Sequence, residues 1–198
     1  MLATLIPLFD DDMQVRAYTI FSQKVNFLLQ PALAGYTRYD GSGAILGLDI
    51  VDSMGMETLA DDREVFVEMN SVSVFSEIET MCDAPHNKIA LLMDHTITPE
   101  EMYVNRLKEL KDMGYLLAIR KLAIEQFEPY REILRLMDFI LLDHKKINIG
   151  SAKIYFGKIY PNIKLIAVNV DTQEDYEKLV AQGGYDLYEG AFFRMPVV

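Results

Sequence analysis

Arg120 and Lys121 stand side by side at the end of the apolar run Tyr115-Leu116-Leu117-Ala118-Ile119, which its unbroken hydrophobicity predicts to be a buried parallel strand. Two adjacent cations at the C-terminal end of such a strand repel metal ions and offer no general base. Their chemistry is anion capture, of a phosphate or an acidic peptide, or ion pairing with acids of the same chain such as Glu68, Asp143 and Glu189. Asp94 and His95 follow the apolar run Ile89–Met93 and have the form of a base with its orienting carboxylate. No nucleophile or second histidine can be placed with them, and His86 and His144 stand apart in polar stretches, so His95 reads as an ordinary loop histidine. Glu68, Asp94, Asp143 and Asp171 could meet at one end of a barrel, but scattered acids do not make a metal motif. The single cysteine, Cys82, excludes an internal disulfide and fits a reducing compartment; it reads as an inert thiol.

The elements that must position these residues follow from periodicity and punctuation. Residues 2–9 and 14–21 are apolar runs joined by Asp10-Asp11-Asp12-Met13, the spacing of an antiparallel hairpin with an acidic turn. A short helix is expected over 24–33 and a glycine-rich loop over 34–43. Apolar residues recur at helical spacing over 44–59, with Gly47 and Gly55 weakening the pattern. Residues 65–67 read as strand, 72–81 as a short helix, and 89–93 as strand. Thr98-Pro99-Glu100-Glu101 has the form of a threonine N-cap, a proline at the first helical position and acids facing the positive end of the dipole. That helix is expected to run to Met113 and close on Gly114. Beyond the strand at 115–119 come a helix over 127–136, a strand at 139–142, a helix over 149–159, a strand at 163–168, a helix capped by Thr172 and ended by Gly183-Gly184, and a last strand at 185–188.

Strand and helix alternate through the second half with short links, which predicts a parallel sheet with right-handed crossovers. With the opening hairpin there are eight strands and six or seven helices. The expected fold is an α/β (β/α)8 TIM-like barrel with an N-terminal antiparallel hairpin, shortened against the ~250 residues usual for that architecture. A doubly wound open sheet is the alternative, but no Gly-rich strand-to-helix turn of the dinucleotide type is present. The 198 residues, 51% hydrophobic, suit one substantial core and one domain. Nineteen Lys and Arg against thirty Asp and Glu give a net charge of −11 and a pI near 4.7, which disfavours nucleic acid and anionic membrane as partners. The apolar start has no preceding basic region and runs into three aspartates, unlike a secretory signal. No segment has the length of a membrane span, and a cytoplasmic protein is expected.

Particular words of the chain carry a resemblance. Ile6-Pro7-Leu8-Phe9-Asp10, Ala17-Tyr18 and the closing Tyr188-Glu189-Gly190-Ala191-Phe192-Phe193-Arg194-Met195-Pro196 resemble the EAL domain, the barrel that in bacteria hydrolyses cyclic di-GMP. The closing segment is similar to the family's ending, glutamine-glycine-tyrosine followed a few residues later by proline. The likeness spans nearly the whole chain and is nearest to the shortened EAL domains that precede an HDOD domain in two-domain signalling proteins, where the linker after the opening hairpin is also reduced. It implies a barrel of EAL type over residues 1–198, the N-terminal part of a longer protein. An EAL phosphodiesterase resembles a two-metal hydrolase, with carboxylates at the strand mouths holding divalent ions that activate water and neutralise phosphate.

The resemblance sets Thr19 where the family has its name-giving glutamate and Gln23 where a basic residue would grip phosphate. Glu68 stands for an asparagine, Leu92 and His95 for paired glutamates, and Arg120-Lys121 for a double aspartate. Leu141 replaces a lysine while Asp143 after it is kept; Val168 replaces a late glutamate, Asp171 stands for its neighbour, and Glu189 for the closing glutamine. Exchanging a carboxylate pair for two cations inverts the local charge, at a cost of roughly several kcal/mol in a partly dry cavity. The resemblance therefore implies a degenerate, non-catalytic signalling barrel with no cofactor and no metal. Its partner is expected to be a protein, an adjacent HDOD-type domain or a second copy, and cyclic di-GMP is not expected as a ligand. A cyclic di-GMP receptor and a surviving phosphodiesterase are the alternatives. Tyr155, Phe156 and Tyr160 on one helix and Phe192-Phe193 are the expected contact surfaces. Met54, Met56, Met93, Met113, Met137 and Met195 are expected in the core.

Overall fold

The computed structural model describes residues 2–23 and 45–193; the helix expected over 24–33, the loop over 34–43 and the end of the chain from Arg194, with Met195 and Pro196, lie outside them. Leu2–Phe9 (β1) and Val15–Gln23 (β2) pair antiparallel across an acidic turn. In that turn the Asp10 carboxylate accepts the backbone N–H groups of Asp12 and Gln14, an Asx turn of the kind short acidic loops favour. Six parallel strands follow: β3 (Glu64–Glu68), β4 (Ile89–Met93), β5 (Leu116–Arg120), β6 (Phe139–Asp143), β7 (Lys164–Val168) and β8 (Leu187–Tyr188). Each pairs with the next, and β8 returns to β1 through Phe9 and Tyr188, so the sheet is a closed eight-stranded barrel in sequence order. Closure removes every sheet edge.

Alternation along the strands divides the apolar residues into two cores. Ala17, Phe66, Ala90, Leu92, Ala118, Phe139, Leu141 and Ile166 point inward and fill the barrel, where Phe66 and Phe139 meet edge to face at 4.9 Å. Residues on the other phase, including Val65, Val67, Ile89, Leu91, Leu117, Ile119, Ile140 and Leu142, pack outward against the helices. Those helices are α1 (Leu46–Met54), α2 (Met56–Ala60), α3 (Glu101–Asp112), α4 (Arg131–Leu134), α5 (Ile149–Ile159) and α6 (Gln173–Gln182). Two strand starts carry the same clamp. Asp138, just before β6, accepts the Leu117 N–H of β5 with its carboxylate and donates its own N–H to the Leu117 carbonyl; Asp186, just before β8, does the same to Leu165 of β7.

Several helices depart from expectation, each for a local reason. The span 44–59 breaks into α1 and α2 at Gly55, which sits at φ +76°. The helix expected over 72–81 is two 3-10 turns, Ser73–Phe75 and Ile78–Thr80. There the Asn70 side chain takes the N–H groups of Val72 and Ser73, and Ser73 Oγ takes that of Asn70, so side chains outbid helix for the backbone donors. The helix expected over 127–136 contracts to a 3-10 turn at Ile124–Gln126 and the single turn of α4, with Pro129 removing a donor between them. Thr98 is no cap: α3 begins after Glu100, and the threonine hydroxyl bonds the Glu100 carboxylate instead. Thr172 does cap α6, accepting the Asp175 N–H, and Asn148 caps α5.

The expected contact surfaces are largely interior. Phe156, Tyr160 and Phe193 are buried, and Phe193 stacks on Phe9 at 4.7 Å, because α5 and the 3-10 turn Ala191–Phe193 bury their aromatic faces against the barrel. The exposed apolar residues are others, among them Val72, Phe75, Met102, Ile154 and Ile159. Met54 and Met113 are exposed rather than core, while Met56, Met93 and Met137 are buried. Among the described residues no helix is long and apolar enough to cross a membrane.

Candidate functional site: the C-terminal mouth of the barrel

Strand alternation brings most of the residues picked out in the sequence to one place. Thr19, Glu68, Leu92, Arg120, Leu141 and Val168 each lie two residues beyond an inward-facing core residue, on the same phase as Ala17, Phe66, Ala90, Ala118, Phe139 and Ile166. They form the uppermost layer of the interior, at the end where barrels of this kind carry out their chemistry. Glu189, just past β8, joins them: Thr19 Oγ1 donates to its carboxylate at 3.0 Å. Gln23 ends β2.

The layer is tied together by its own charges. Arg120 makes a salt bridge with Glu68 across the mouth, both side chains partly buried. Glu189 lies close enough to both to feel them. Burial raises its carboxyl above the usual carboxylate range and the Glu68 charge adds to this, while the Thr19 hydrogen bond and the Arg120 charge oppose. Leu92 and Leu141 are buried beside these groups, offering hydrocarbon where a ligand would need oxygen. Lys121 takes a different acid from Arg120. Its backbone turns to φ +61°, and its ammonium lies 3.6 Å from Asp94 in the loop after β4. Burial works against the Asp94 carboxylate, but hydrogen bonds from the Thr96 N–H and hydroxyl and the Lys121 charge outweigh it and lower its pKa.

The remaining residues are engaged elsewhere. Asp143 pairs with Lys146 at 3.2 Å and accepts the Lys145 N–H, so it is not a partner of Arg120 or Lys121. Asp171 is held by Lys145 at 2.6 Å, which lowers its pKa, and accepts the Ala191 N–H. His95 contributes its carbonyl to the Tyr130 hydroxyl. His144 and His86 bond the carbonyls of Asn169 and Met113. Cys82 is buried, and burial pushes its thiol up. Sequence reasoning named Glu68 and Glu189 as possible partners of Arg120 but missed Lys121 with Asp94. A left-handed backbone at a lysine leaves no trace in periodicity.

No family model matches the chain. Among solved structures, the PaMucR phosphodiesterase in complex with cyclic di-GMP superposes with a TM-score of 0.76 over 98% of this chain and 96% of its own, at 14% identity. The fold is that of the EAL barrels. An EAL domain protein from Listeria monocytogenes EGD-e gives 0.68 over 98% and 87% at 13% identity. A standalone EAL protein from Vibrio cholerae O395, in its cyclic di-GMP bound form, gives 0.66 over 95% and 88% at 13% identity. In sequence the chain is 28% identical over 201 residues to the uncharacterized protein YuxH of Bacillus subtilis (strain 168), matching 96% of this chain and 46% of that protein. It thus spans less than half the length of that relative.

The pair of divalent ions implied by an EAL-type barrel can be tested against this mouth. Hard cations need several oxygen ligands, mostly anionic. At this EAL-type mouth the central position is a guanidinium, Leu92, Leu141 and Val168 have no donor atoms, and the two inward acids are committed to Arg120 and Thr19. Among the described residues no three His, Cys, Asp or Glu side chains could share one metal ion. The residues present do not fit the metal pair.

Proposed function

We propose that this chain is a degenerate, non-catalytic EAL-type barrel, cytoplasmic, that acts in signalling through contacts with another protein or with a further domain of its own chain. The observation that carries the reading is the layer at the C-terminal mouth, where the Arg120–Glu68 salt bridge and the Thr19–Glu189 hydrogen bond occupy the space between hydrocarbon side chains. Two-metal hydrolysis needs positions that hold cations and orient water, and a fixed guanidinium there repels both metals. Support for a further domain is the length of YuxH, about twice that of this chain. An HDOD-type neighbour, the arrangement that the chain's resemblance implies, is the partner of first choice, with self-association the other.

A second reading is a receptor that binds cyclic di-GMP without cleaving it. It is favoured by the PaMucR and Vibrio cholerae structures, both of which hold that ligand, and by the cations at the mouth. Calorimetry with cyclic di-GMP, with and without magnesium, and chromatographic analysis of products separate the readings. The expected outcome is neither heat of binding nor product. Saturable binding without turnover would establish the receptor, and turnover abolished by chelator would restore the enzyme.

A further inference from the structure

The opposite end of the barrel holds a cavity of about 590 Å³, within the size range of small-molecule sites. It opens at the N-terminal ends of the parallel strands, where barrels usually serve stability rather than chemistry. Its lining is unusual in the same terms as the upper mouth. Glu64, Lys88 and Lys164 each lie two residues before an inward-facing core residue, namely Phe66, Ala90 and Ile166. The inward phase at this end therefore carries charge, with Lys164 exposed and Glu64 and Lys88 partly buried.

The charges are not mutually satisfied. Asp10 is occupied by Arg16 and two backbone N–H groups, and Asp186 by the Leu165 N–H. Among the described residues Arg63 pairs with the exposed Asp61. Lys88 and Lys164 have no carboxylate partner among the described residues, and Lys164 instead lies 5.4 Å from the centre of the Phe139 ring. Four cations (Arg16, Arg63, Lys88 and Lys164) and four carboxylates (Asp10, Asp62, Glu64 and Asp186) line the cavity, so in a protein of net charge −11 it is locally neutral. Glu64 and Asp62 on the same wall would accept hydroxyl or amino donors but repel a bare anion.

We infer that this lower cavity binds a small phosphate-bearing molecule that also carries hydroxyl groups, its phosphate held by Lys88 and Lys164 and its hydroxyls by Glu64 and Asp62. The site is built from residues remote from the C-terminal mouth and does not depend on whether that mouth is inert. Ribose 5-phosphate is a suitable probe, titrated into the protein and followed by calorimetry and by amide chemical shifts. Saturable binding with a Kd below about 1 mM is expected, with shifts at Gln14, Arg63 and Leu187. Lys88→Gln/Lys164→Gln, checked for folding by circular dichroism, weakens it at least about tenfold, while Lys88→Arg/Lys164→Arg retains it. Arg120→Gln leaves it unchanged. No saturable binding by the parent chain, shifts centred on Arg120, or affinity that survives in the folded double glutamine variant would each overturn the inference.

Discussion

At the scale of single residues, the C-terminal mouth is a balance between burial and charge. Glu189 titrates above the ordinary range because burial disfavours its charged form more than Thr19 and Arg120 favour it. A carboxyl whose folded pKa is raised costs no stability while it is protonated in both states. It destabilises as pH climbs through the unfolded value towards the folded one, and fully above both. Glu189→Gln, which keeps an acceptor for Thr19, is therefore expected to raise Tm at pH 8 and to leave it almost unchanged at pH 4. Equal gains at both pH values would contradict the assignment. Arg120→Met has the opposite sign: it leaves Glu68 facing buried hydrocarbon without its counter-charge. A loss of about 1–2 kcal/mol in urea unfolding is expected, and Glu68→Gln in the same background should recover most of it, since the pair then disappears together.

At the scale of elements, the segment after β8 sets where Glu189 points. Its path is fixed by backbone bonds between Val170 and the turn, with the Val170 N–H donating to the Glu189 carbonyl and the Phe192 N–H to the Val170 carbonyl. Gly190 lies so close that an added Cβ would fall 2.0 Å from the Val170 oxygen and 2.4 Å from its nitrogen. Backbone on both sides leaves no flexible side chain to yield. Gly190→Ala is expected to cost about 3 kcal/mol or more, seen as a lower urea midpoint, whereas alanine at Gly157 on α5, where nothing stands within 4 Å, should be neutral or slightly stabilising. The helices that were misjudged from sequence failed at this same scale. Asn70 and Ser73 captured the donors of an intended helix, and Pro129 cut another, signals that lie in single residues and are outweighed in a count of apolar spacing.

At the scale of the whole molecule, inward residues from several strands meet at each mouth, so its chemistry belongs to the ring rather than to any one strand. Placing two acids where the EAL resemblance sets a double aspartate should consequently not create a hydrolase. Arg120→Asp/Lys121→Asp is expected to show no magnesium-dependent cleavage of cyclic di-GMP by product analysis, because Leu92, Leu141 and Val168 still bring hydrocarbon to the layer. Appearance of turnover in that variant would mean that the layer can hold a metal ion after all.

Much of this arrangement was legible in the chain. Continuous apolar runs fixed β4 to β7 to within a residue or two, and the alternation within them already implied which side chains enter the barrel, because a strand has period two whatever it packs against. The order of strands and the short links between them implied a barrel, but that it closes, with β8 returning to β1, was decided only by the tertiary structure. What only the tertiary structure decided is which charge meets which. Arg120 with Glu68 spans 52 residues and Thr19 with Glu189 spans 170, separations at which nothing local records the partner. The ends of the barrel were settled in the same way: its closure, not its periodicity, gathered the starts of β2, β3, β4, β7 and β8 around one lower cavity, and a left-handed backbone set Lys121 against Asp94.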